Sequence, residues 1–157
     1  MIYQSQAEVD EALAYWQKVL RLQDWDILAR VTRQSEMNCT DASATCQVVM
    51  FRKQAQIKLL DPTDYDRALW KQDHEESLVH ELLHLHYEPL FWAQPEKDRN
   101  DNWKVAEEQA ICSIASGLVA RKREIEECGP RITFEELSEI SGLSPLDRGV
   151  RSEVTEE

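Results

Sequence analysis

The sequence predicts an α+β domain: an N-terminal helix, a small sheet of three strands or more, then two long helices facing each other, and a short C-terminal helix. Three observations predict it. Apolar residues recur at helical spacing over residues 5–22, alternate with period two in three short stretches, and return to helical spacing in the second half of the chain. The length of 157 residues suits one domain able to bury a useful core.

In the first helix Val9, Leu13, Trp16 and Leu20 fall on one face. Residues 25–31, 46–51 and 55–60 read as strands, the last closed by Asp61-Pro62. The next helix carries an apolar arc of Leu78, Val79, Leu82, Leu83, Leu85 and Leu90, interrupted by two histidines. Asp73 or Ser77 can cap it, Glu75 and Glu76 suit the dipole at its start, and Pro89 ends or bends it. A polar turn over residues 94–101 leads to a helix expected over 102–122, with Val105, Ala110, Ile111, Ile114, Ala115, Leu118 and Val119 as its apolar stripe.

Cys128-Gly129-Pro130 sets the remainder apart, giving an expected division into 1–128 and 129–157. Residues 133–144 resemble the first helix and turn of a helix-turn-helix, but too little chain follows for a recognition helix. A short helix followed by a disordered acidic tail is the expectation there.

The chemistry is concentrated in His80-Glu81-Leu82-Leu83-His84. On a helix, residues four apart project from one face, so both imidazoles can reach one zinc ion while Glu81 reaches water beside it. Two imidazoles and a carboxylate in an apolar stripe are costly to bury without a partner, and a cation is the natural one. Catalytic zinc takes a third protein ligand. The motif does not extend to a third histidine, because Tyr87 and Leu90 hold those positions and no methionine follows Met50. His86, two residues past His84, points away on a helix, and His74 lies upstream. That leaves a carboxylate from the following helix, where Glu107 and Glu108 flank the start of the apolar stripe. Either can turn inward, the other being a solvated first-turn acid.

His80-Glu81-x-x-His84 with a glutamate some two dozen residues later resembles the gluzincins, the thermolysin-like zinc peptidases. Glu107-Glu108-Gln109-Ala110-Ile111-Cys112 is similar to the segment after the motif in minimal gluzincins, which include the ImmA/IrrE type and small metallopeptidases of phages and prophages. The resemblance covers roughly residues 5–122. It implies a Zn2+ site made by His80, His84 and Glu108, or Glu107 in its place, with Glu81 as general base for peptide-bond hydrolysis. Family ligand glutamates are often followed four residues on by Asp or Asn. Here Glu108 would put Cys112 in that slot and Glu107 would put Ile111 there, so neither matches and the orienting carboxylate is missing or comes from elsewhere. The resemblance also implies a strand beside the metal that pairs with substrate backbone, for which residues 55–60 are the candidate. Larger gluzincins add a His or Tyr after the third ligand for the oxyanion. This chain has neither beyond residue 108, so His74, His86, Tyr65, Tyr87 or Arg131 would have to serve.

A protein or peptide substrate is therefore expected. A zinc-binding regulatory or interaction domain with little or no turnover is the alternative, as is a processor that needs one partner protein. The net charge of −12, from 30 acidic and 18 basic residues, argues against a broad nucleic-acid surface. The basic run Arg121-Lys122-Arg123 reads as a solvated face near a helix end. No apolar run is long enough for a bilayer and no leader pattern opens the sequence, so a cytoplasmic protein is expected, with no membrane partner. The four cysteines lack CxxC spacing and are expected to be reduced. Six residues separate Cys39 from Cys46, and no histidine is near to make them a metal pair.

Overall fold

Ser5 fixes where the first helix starts. In the computed structural model, which describes residues 1–39, 41–66, 70–93 and 101–129, its hydroxyl accepts from the Glu8 N–H at 3.3 Å. Glu8 in turn accepts from the Gln4 N–H at 2.8 Å, close to a capping box. Helix α1 (Gln6–Val19) buries Val9, Leu13 and Trp16, the face the periodicity marks, and ends before the expected residue 22 because Arg21 turns left-handed at φ 59°. The chain divides into two compact units, Met1–Ala120 and Arg121–Glu157.

Strands β1 (Asp26–Thr32), β2 (Ala44–Val49) and β3 (Gln54–Leu60) form a mixed sheet in the order β1-β3-β2. β1 runs parallel to β3, with Ala29 opposite Ile57, and β2 runs antiparallel to it, with Cys46 opposite Ile57. The second strand starts and stops two residues before the expected 46–51. Met50 and Phe51 instead enter a one-turn 3-10 helix (Met50–Arg52), which Lys53 closes in the left-handed region at φ 49°. The central place of β3 follows from its composition. Ile57 and Leu59 are fully buried, and even Lys58 is buried, its ammonium donating to the Glu36 carbonyl at 2.7 Å and to Asn38 Oδ1 at 3.3 Å. This corrects the expectation that residues 55–60 could receive a substrate strand. Both edges of β3 are already paired, and β1 and β2 are the two edge strands.

Helix α2 (His74–Ala93) is capped by Asp73, whose Oδ1 accepts from the N–H groups of Glu75 and Glu76, each at 3.1 Å; Ser77 is not the cap. Pro89 lies inside the helix and does not end it. Leu78, Val79, Leu82, Leu83 and Leu85 are buried as the arc requires, whereas Leu90, past the proline, is exposed. Helix α3 (Asp101–Cys128) runs beyond the expected residue 122 and stops at Gly129, whose φ of 70° is the usual left-handed helix terminator. Its buried stripe is narrower than the sequence suggests: Ile111, Ala115 and Val119 are buried, but Val105 and Ile114 are exposed. In the second unit, Arg121 pairs with Glu124 at 2.6 Å and Lys122 with Glu126 at 3.0 Å, so part of the basic run is met by acids of its own helix. The expected helix over 133–144, the acidic tail and Arg131 lie outside the described residues. Among the described residues, no helix is long and apolar enough to cross a membrane.

His74 ties the first unit together. It is fully buried, its Nδ1 accepts from the Tyr3 N–H at 3.2 Å, and its Nε2 lies 2.9 Å from the Leu60 carbonyl, so the neutral Nε2–H tautomer satisfies both bonds. Its own N–H donates to the Met1 carbonyl at 2.8 Å, and the terminal ammonium pairs with Asp73 at 2.7 Å. Burial holds the imidazole below its ordinary pKa. The unfolded chain therefore takes up a proton first as the pH falls, and His74 removes stability below about pH 6.5. His74→Ala is expected to cost about 3 kcal/mol at neutral pH by orphaning buried groups. It should also flatten the loss of stability between pH 7 and pH 5, both read from urea melts.

Candidate metal centre

Helix α2 sets His80 and His84 one turn apart on the face that α3 covers. Their rings lie 4.9 Å apart at 72°, and their Nε2 atoms are 3.2 Å apart. From α3, Glu108 Oε2 lies 3.2 Å from His80 Nε2 and Glu108 Oε1 lies 3.5 Å from His84 Nε2. A tetrahedral zinc with ligand bonds of about 2.0–2.1 Å has donor–donor edges of about 3.3 Å. The two nitrogens stand at that spacing and Glu108 spans them with one oxygen on each, a donor set whose chemistry suits a small divalent cation. Glu107 also reaches the pair, but its Oε1 lies 3.6 Å from the other nitrogen of His84, Nδ1, at ion-pair rather than hydrogen-bond distance.

Cys112, one turn beyond Glu108, brings its Sγ to 3.6 Å from His80 Nδ1. His80, Glu108 and Cys112 can themselves be drawn as a metal-binding group, with all three donor atoms within 4.8 Å of one another. The two sets differ in the third donor. His84 and Glu108 both lie 3.2 Å from Nε2 of His80, whereas Cys112 approaches the Nδ1 side. The set with His84 has the shorter contacts, all on the Nε2 side.

Electrostatics favours ligation. Burial, then the neighbouring His84, lowers the His80 pKa against the pull of Glu108, which keeps the imidazole neutral as a ligand must be. Burial, then the charge of Glu108, pushes Glu81 up to about 8, and its side chain is almost completely enclosed. Burial, with Glu81 and Glu88 adding to it, pushes the Cys46 thiol up to about 12. Burial, then Glu108 and Glu76, raises Cys112. All four cysteines are free thiols, Cys39 and Cys46 among them.

The Glu81 shift has a measurable consequence in metal-free protein. The unfolded chain loses this proton near pH 4.5 and the folded chain near pH 8, so the stabilisation is complete below pH 4.5 and drains away as the pH rises to about 8. Glu81→Gln keeps the protonated shape at every pH. It is expected to match wild type near pH 4.5 and to gain on it by up to about 1.4 kcal/mol per pH unit up to pH 8, read by urea titration in the presence of chelator.

A cavity of about 710 Å³ opens over this group. One wall is the start of the edge strand, with Thr45 and Cys46; Tyr65 and Trp70 stand on another; His80, Glu81, His84, Glu108 and Cys112 line the α-helical side. Of the described residues considered for an oxyanion, only Tyr65 lines the cavity. His74 is committed to its two backbone bonds, His86 is exposed and Tyr87 packs against the core. The edge strand and the Cys112 contact were not assigned from sequence. The i, i+4 spacing of Glu108 and Cys112 is the signal for the second, since it puts both on one helix face. No protein-family model, no curated protein and no solved structure matches this chain.

Proposed function

We propose that this protein is a zinc-dependent peptide hydrolase of the minimal gluzincin kind, with His80, His84 and Glu108 as metal ligands and Glu81 as general base. The observation that carries the reading is the convergence of two Nε2 atoms and one carboxylate at 3.2–3.5 Å beside an enclosed glutamate in an open cavity. Bound zinc supplies a Lewis acid, which polarises a peptide carbonyl and makes water more acidic.

The chain's own residues do the rest. Glu107 backs His84 at Nδ1 and favours the tautomer that leaves Nε2 free to ligate. A cation nearby favours the Glu81 carboxylate over its acid, readying it to take a proton from water and pass it to the leaving amine. The free edge of β2 offers backbone groups to an extended peptide, which suits a substrate bound as an added strand along the cavity wall. Tyr65 is the cavity residue suited to donate to the oxyanion.

The test is to incubate zinc-loaded protein with a mixture of unstructured peptides and read the products by mass spectrometry. Cleavage that a chelator abolishes and zinc restores supports hydrolysis. A zinc-loaded protein that cleaves nothing leaves the reading of a zinc-binding regulatory domain.

A further inference from the structure

The two histidines are backed by different groups. His84 has a carboxylate at Nδ1, that of Glu107, which is only 13% exposed. His80 has a thiol there instead: Cys112 Sγ at 3.6 Å, an ordinary contact for the larger sulfur atom. An imidazole that binds a cation through Nε2 carries its proton on Nδ1 and has to donate it to something. For His80 the sulfur is in place to accept it. Sulfur is a weak acceptor, so it holds the ring less firmly and raises its basicity less than an oxygen would. Cys112 is also exposed and lines the cavity, so reagents in solution reach it.

We propose that Cys112 is the positioning residue of His80, and that modification of its thiol controls how tightly the centre keeps its cation. The inference rests on the reading that His80, His84 and Glu108 hold zinc. It makes the thiol a control point of the site without making it a ligand. Any group that displaces sulfur from Nδ1 frees the His80 ring to rotate off the triangle it forms with His84 and Glu108.

The experiment is zinc affinity, measured by competition with a chromophoric chelator, for wild type, Cys112→Ala, Cys112→Asn and Glu108→Ala. Cys112→Ala is expected to bind zinc about 10- to 100-fold more weakly, the usual cost of losing such a partner. Cys112→Asn restores an acceptor without adding charge and is expected to recover wild-type affinity or exceed it. A residue that served only to pack the helix would not show this rescue. Iodoacetamide forms one S–C bond at the thiol, releasing iodide and a proton. Treated wild type is expected to bind as Cys112→Ala does, and treated Cys112→Ala is expected not to change, with Cys39 and Cys128 as exposed thiols alkylated in both. If Glu108→Ala weakens zinc binding while Cys112→Ala stays within about twofold of wild type, the positioning role fails and the metal site stands. If wild type binds no zinc, both fall.

Discussion

Replacing Glu81 by glutamine is expected to lower peptide hydrolysis by about 10²–10⁴-fold while leaving the bound metal in place, the range that a positioned general base contributes. The side chain is only 7% exposed and lines the cavity next to the histidines. Glutamine has the same shape and packs in the same enclosure, but it cannot accept a proton from water. It takes nothing from the proposed metal donors, which are His80, His84 and Glu108. The measurement is kcat/KM on a cleaved peptide alongside metal content for the two proteins. A variant that keeps its zinc and its rate would remove Glu81 from the chemistry. The enclosure that makes Glu81 protonated in the metal-free protein gives the same substitution its opposite effect on stability, so activity and stability should move in different directions.

Zinc is expected to raise the melting temperature by about 5–10 °C at a hundredfold excess over its dissociation constant. A ligand that binds only the folded chain contributes about 2.7 kcal/mol under those conditions, and a domain of this size moves by about 2–4 °C per kcal/mol. In the metal-free chain, two imidazoles of α2 face each other at Nε2, and two glutamates of α3 lie beside them. A cation on the Nε2 side gives both imidazoles and Glu108 a common partner. His84→Ala takes away one donor and is expected to lose most of the shift, while a chelator reverses it in wild type. A melting temperature indifferent to zinc would mean the histidines are satisfied by one another.

Most of the fold is legible in the sequence because its signals are local. Val9, Leu13 and Trp16 define the α1 face, Asp73 can be read as a cap, and Cys128-Gly129-Pro130 as a boundary, although the sequence alone would end the helix before it at residue 122. Pro89 is misleading because a proline late in a helix removes only one bond, and the neighbouring turns carried α2 on to Ala93. The strand order was not legible. Pairing is a long-range choice, and only the double-sided burial of Ile57, Lys58 and Leu59 hints that β3 is central.

The site divides in the same way. His80, Glu81 and His84 are set by spacing along one helix, so the sequence places them together. Glu107 and Glu108 are adjacent, and spacing alone leaves either as the inward group. The difference between them is which nitrogen of His84 each one meets, and that depends on how α3 crosses α2. Cys112 stands where the gluzincin resemblance would put Asp or Asn, and its sulfur lies at His80 Nδ1, where a ligating imidazole would need an acceptor.

The most direct test of the centre is metal content by elemental analysis of tag-free protein, for wild type beside His84→Ala, Glu107→Ala and Glu108→Ala. About one zinc per wild-type chain is expected. His84→Ala and Glu108→Ala should lose it, and Glu107→Ala should keep it with reduced affinity. A folded wild type that carries no metal and takes up none when zinc is added would contradict the account, leaving His80 and His84 as a hydrogen-bonded pair in the wall of a cavity.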